Sequence, residues 1–176
     1  MNTANASTAA ASPRAPGQPA RAVIGVNALF ARIPEDAIKL LARVSLAVTF
    51  WASGQTKIEG LVLDPIGWNV ELGVPHVSEN AIELFRSEYA LPLVDPTVAT
   101  YMAAIAEHAL PLLLLFGLAT RLSALGLLVM TLVIQTFVYP SAYPTHGLWA
   151  ALLLYLMARG PGRLSMDHLI ARRYGR

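Results

Sequence analysis

The chain has 176 residues, of which 55% are hydrophobic and 14% charged, with a formal net charge of +2. Soluble domains carry about 25% charged residues, so this composition, with a mean hydropathy of +0.51, points to an integral membrane protein without a sizeable soluble domain. The absence of cysteine excludes disulfide exchange, thiolate metal sites and thiol-attached haem on this chain, and the basic residues form no stripe suited to nucleic acid.

Residues 1–21 are rich in Ala, Ser, Pro and Thr and have little to bury, which reads as a disordered tail. They lack the charged start and apolar core of a secretory signal, so the tail is expected to stay on the mature protein. Ala22–Ile33 is apolar but too short to span, and reads as a juxtamembrane segment on the inner surface or a plain linker, closing a non-spanning region 1–33. Pro34-Glu35-Asp36 then makes a good helix start, with two acids at the positive end of the dipole.

A first span is expected over 37–55. Lys39 and Arg43 lie four apart near its start, placed to snorkel to phosphates or, for Arg43, to meet a buried partner. Its far end carries Ser53, Gly54, Gln55 and Lys57, where Gly54 permits close helix approach. Residues 58–96 read as a long extracytoplasmic loop, broken by Gly and Pro and rich in acids. Within it, Ser78–Tyr89 has the apolar spacing of a short surface helix.

Two apolar runs follow, 98–118 and 122–139, separated by Ala119-Thr120-Arg121. Each is roughly long enough to cross ~30 Å of hydrocarbon, and so short a linker makes them an antiparallel hairpin. Glu107 and His108 sit near the middle of the first arm. An ionisable group at that depth costs at least ~2.5 kcal/mol and normally faces a partner or a polar cavity. Pro111 removes the helical donor from the Glu107 carbonyl, so a kink is expected beside the acid. A fourth, short helix is expected over 145–158, and a basic tail over 161–176. Arg121 reads as an interfacial anchor in its turn. With basic tails and an Arg121 turn against acidic or neutral outer loops, the positive-inside rule puts both termini in the cytoplasm. The fold class is therefore an all-α, four-helix membrane bundle over 34–160.

Counting from Arg121, Glu107 and Gln135 reach the same level in the outer half, with Lys57 a little higher. Gln55, Lys57, Glu107, His108, Gln135 and His146 can thus converge on a pocket that opens outward. Three chemistries compete for it. Glu107 can pair with Lys57 or Arg43 as a structural core. A quinone head group can take hydrogen bonds from Lys57, Gln55, Gln135 and His146, with Glu107 and His108 as proton carriers. A metal is the weakest reading, since no HxxxH or ExxH spacing occurs, and none is expected.

The stretches ARVSLAVTFWASGQTKI, FRSEYALPLVDP, AEHALPLLLLFGLATRLSALGLLVMTLVIQTFVYP and HGLWAALLLYLMARGPGRLSMD together resemble the DoxX family of small bacterial four-helix membrane proteins, from Leu40 to Asp167. Features of that family fall on Arg43, Gly54, Lys57, Glu107, Gly117 and Arg121. The resemblance implies a bacterial inner-membrane location and a quinone-linked oxidoreductase subunit working with partner subunits or as a homo-oligomer. Some relatives with the same ending imply the alternative, a non-enzymatic accessory or anchor associated with metal stress or peptide modification.

Overall fold

A computed structural model describes residues 17–64 and 67–175. The expected disorder of the extreme N-terminal tail, residues 1–16, lies outside the described residues. The chain divides into two units, Met1–Pro34 and Glu35–Arg176. In the first, helix α1 (Gln18–Phe30) begins with Pro in its opening turn and runs through most of the juxtamembrane segment. Proline is at home there because its missing N–H would have had no helical acceptor. Val23, Ile24, Val26, Leu29 and Phe30 are exposed along it.

The second unit is a ring of four helices: α2 (Glu35–Gln55), α4 (Pro96–Phe116), α5 (Thr120–Val133) and α6 (Tyr143–Arg159). Neighbours pack in the order α2–α4–α5–α6, and α6 closes back on α2. Among the described residues, three helical stretches are long and apolar enough to cross a membrane: Glu35–Gln55, Pro96–Phe116 and Thr120–Val138. The last includes a π-helical turn, Ile134–Val138, that extends α5. Helix α6 has 17 residues, about 26 Å, and is shorter than those three.

The ring has large aliphatic side chains on its outside and a mixture of small, polar and aliphatic groups within. Leu41, Met102, Ile105, Leu122, Val129 and Leu154 face outward. Ala42, Leu46, Phe50, Leu114, Ala124, Leu127, Leu153 and Leu156 form the interior cluster, joined by buried Thr100, Ser123 and Thr131. Thr100 and Thr131 return their hydroxyls to carbonyls one turn back in their own helices, so neither leaves a bare polar group inside. Helix α4 continues through Pro111, which is itself buried.

Residues 58–96 differ from the loop expected of an all-α chain. Strands β1 (Ile58–Asp64) and β2 (Asn69–Val77) pair antiparallel, with a register shift between Glu59 and Leu61. Leu61 opposes Leu72 and Leu63 opposes Val70, so these four share one face, while Val62 opposes Glu71 on the other. Helix α3 (Glu79–Leu84) then runs into a π-helical turn, Phe85–Tyr89, where the short helix is expected. At the opposite end of the bundle, the segment after α6 turns back and finishes in α7 (Met166–Tyr174).

Candidate functional site

Lys57 sits in the step between α2 and β1. Its N–H donates to the Gly54 carbonyl (2.9 Å) and its own carbonyl accepts from Ser78 N–H at the end of the hairpin (3.0 Å). With both sides of the backbone held, the side chain turns into the bundle. Its Nζ lies 2.6 Å from Glu107 Oε2, and both side chains are almost fully buried. Nζ also donates to the Ser53 carbonyl (3.1 Å) and hydroxyl (3.2 Å), while Glu107 Oε2 meets it as an ion pair rather than as a well-directed hydrogen bond.

This pair forms one wall of a cavity of about 460 Å³ enclosed by α2, α4, α5, α6 and the two π turns. His146 lines it, as do Tyr89, Tyr139, Phe50 and Trp149. Met102 from α4 and Val129 from α5 line it too, and both are exposed on the outer surface of the ring. The cavity therefore has a polar inner end and an apolar flank between α4 and α5.

Hydrogen bonding distinguishes buried His146 from half-buried His108. Gln135 Nε2 donates to the Pro140 carbonyl (2.7 Å), which leaves Gln135 Oε1 to accept from His146 Nδ1 (2.8 Å). His146 Nδ1 is thus the donor, and in the neutral imidazole Nε2 is left free to accept. His108 lies elsewhere, between α4 and the hairpin. Its Nδ1 donates to the Ala104 carbonyl (2.7 Å), and its Nε2 accepts from Gln55 Nε2 (2.9 Å). Gln55 Oε1 in turn accepts from Leu63 N–H (2.7 Å), and Trp51 Nε1 donates to the Leu63 carbonyl (2.8 Å). His108 Nδ1 is spent on its own helix and Nε2 on orienting Gln55, which holds β1 against α2; the ring packs edge-on against Trp51 at 4.9 Å. Gly54 makes room for this, because a Cβ there would lie 2.9 Å from His108 Cε1 and 3.1 Å from Glu107 Cβ.

The predicted cluster therefore divides in two. Lys57, Glu107 and His146 face the cavity, and Gln135 orients His146 from behind. Gln55 and His108 form a separate chain that seats the hairpin. Ser53, Tyr89 and Tyr139 were not among the predicted site residues. Tyr139 donates to Glu88 (2.6 Å), and its ring meets Tyr89 edge-on at 5.8 Å where the two π turns come together. The carboxylate acceptor, and then burial, pushes the Tyr139 phenol above its ordinary range; Tyr89 is raised chiefly by burial.

At the far end of α2, Arg43 is buried without a carboxylate at hydrogen-bond distance. Its Nε donates to Leu114 O (2.8 Å) and Nη2 to Leu115 O (2.5 Å), closing the free carbonyls at the end of α4. Nη1 donates to Leu164 O (2.7 Å) and Pro161 O (3.2 Å) in the returning tail. Gly117 lies against it at φ +67°, and a Cβ would come within 2.7 Å of Arg43 Nη2. Glycine satisfies both the left-handed backbone and the close approach. Asp167 completes the closure, its two carboxylate oxygens accepting from Ala119 N–H (2.8 Å) and Thr120 N–H (2.9 Å) at the start of α5. Arg121 is exposed in the first turn of that helix.

With this geometry in place, comparison with known proteins is informative. The DoxX family model matches residues 38–140, more than half of the chain. This chain belongs to the DoxX family. It is also similar to an uncharacterized protein of Haemophilus influenzae (strain ATCC 51907 / DSM 11121 / KW20 / Rd), 27% identical over 143 residues, covering 77% of this chain and 84% of that one. No solved structure matches it. The matched span contains α2, the hairpin, α4 and α5, and so both Lys57 and Glu107.

Proposed function

We propose that this DoxX protein is a four-span subunit of the bacterial inner membrane, with both termini cytoplasmic, that binds a quinone head group beside the Lys57–Glu107 pair. The observation that carries the reading is a buried ion pair bordering an apolar cavity. Its volume, about 460 Å³, is in the range of small-molecule sites, and its few polar groups converge at one end. A quinone supplies two-electron, two-proton exchange, with electrons coming from a redox partner subunit. Lys57 would turn one proton from Ser53 to a quinone carbonyl oxygen, Nε2 of neutral His146 would accept from a quinol hydroxyl, and Glu107 would hold or release a proton. The apolar flank between Met102 and Val129 takes the start of the isoprenoid tail.

The test is extraction and mass spectrometry of quinone from protein purified gently out of its native membrane. Stoichiometric quinone that is lost in a folded Glu107→Gln protein supports the reading; a quinone-free wild type ends it. A second reading draws on the ion pair of Lys57 with Glu107 and its two hydrogen bonds to Ser53. In it the pair is a structural core, and the protein is an accessory or anchor for another subunit. Quinone-free protein that co-purifies with a fixed partner favours that alternative.

A further inference from the structure

A second concavity lies at the Arg43 end of the bundle, remote from the quinone pocket. It has a volume of about 510 Å³ and is walled by the first turn of α2, the start of α5, the end of α6, the following linker and α7. Two acids line it, Asp36 and Asp167, and both are committed to main-chain amides. Asp167 uses both oxygens on the start of α5, and Asp36 Oδ1 accepts from Arg163 N–H (3.0 Å).

The cations of the same wall are less well matched. Lys39 and Arg159 share a single carboxylate, Glu35, at 3.5 and 3.8 Å. Arg121 and Arg163 line the cavity, are exposed, and make no ion pair among the described residues. Thr120 lines it too, and its buried hydroxyl has no hydrogen-bond partner. Leu122, exposed on the outer surface of α5, joins the basic wall to the apolar side of the ring.

We infer that this basin binds a phosphate-bearing anion through Arg121 and Arg163. Guanidinium forks match phosphate oxygens two at a time, and they lose less than ammonium groups on leaving water. Basic pockets between helices on the cytoplasmic side are suited to anionic head groups. An acidic phospholipid and a soluble phosphate offer the same chemistry; Leu122 gives the lipid a surface for its acyl chain. The inference is independent of the quinone reading, because the two cavities share no residue.

The experiment uses the full chain in nanodiscs of phosphatidylcholine with or without phosphatidylglycerol, followed by native mass spectrometry of retained lipid. A parallel thermal-shift titration in detergent uses inorganic phosphate and glycerol 3-phosphate. Arg121→Gln/Arg163→Gln is compared with Arg172→Gln/Arg173→Gln, which removes equal charge from α7 outside the basin. Retention of phosphatidylglycerol is expected to fall about tenfold in the first double variant and to change less than about twofold in the second. Melting in phosphatidylcholine alone reports whether each variant is folded. A response to the soluble phosphates without lipid preference assigns the site to a soluble ligand. Equal losses in both variants mean diffuse surface attraction and overturn the site. A wild type that neither prefers phosphatidylglycerol nor responds to phosphate overturns it without any variant.

Discussion

The bundle buries a cation at each end, and the two are neutralised in different ways. Arg43 is satisfied by main-chain carbonyls from α4 and from the returning tail, inside a closed joint. Lys57 is balanced by one carboxylate, Glu107, at the edge of a cavity. The guanidinium joins the end of α4 to the returning tail through main-chain carbonyls alone, so its work is finished when the fold is complete. The ammonium–carboxylate pair has two protonation states and adjoining space, which is what a proton-handling site requires. Burial is alike in the two places; the partner differs, main-chain carbonyls at one end and a carboxylate at the other.

Breaking the outer pair gives the largest effect. Glu107→Ala leaves Lys57 charged and buried without its partner, and should cost about 3–5 kcal/mol in detergent denaturation, with much of it recovered by adding Lys57→Met. A loss below about 1 kcal/mol would show that the pair is solvated, and the comparison would collapse. Arg43→Met orphans carbonyls at two places and should cost about 2–3 kcal/mol. In contrast to Glu107→Ala, it should leave any quinone content per folded molecule unchanged. A shared loss of quinone would erase the distinction between the ends.

Smaller changes sharpen the comparison. Asp167→Ala removes the acceptor at the start of α5 and should cost about 1 kcal/mol, with faster hydrogen exchange confined to the first turn of that helix. Tyr139→Phe should lower stability slightly at neutral pH, where the hydrogen bond to Glu88 is intact, and should remove one late step from an absorbance titration. The folded phenol is raised from 10.0, chiefly by Glu88. Its contribution is therefore complete below that pH and is lost as pH climbs through the folded value. A Tyr139 step at the ordinary position would mean that the contact with Glu88 is not formed in solution.

The helices were legible in the sequence because long apolar runs with charged or Gly/Pro ends admit few other structures. The level of Glu107 relative to Lys57 followed from helical rise alone. The hairpin was less visible. Leu61 and Leu63, and Val70, Leu72 and Val74, alternate as strands do, but Gly60, Gly73 and Pro75 interrupt them as in a loop. Gly60 turns out to sit at φ +83° in the shifted register, where it helps the strand continue. Adjacent residues in α4 were expected to compete for one pocket. The roughly 100° between Glu107 and His108 instead sends them to different neighbours. Asp167 was missed because its role depends on a partner 48 residues away, a pairing that no local pattern announces.

The return of the tail to the start of α5 also bears on how the protein is made. Translation supplies α2, α4 and α5 long before Pro161, Leu164 and Asp167 appear. Until then, two Arg43 contacts and the amides of Ala119 and Thr120 lack their final partners. The tail, made after the helices, thus latches spans that were threaded earlier. A nascent chain stopped before Asp167 should hold its spans in a looser, protease-sensitive bundle, which limited proteolysis of stalled chains would show.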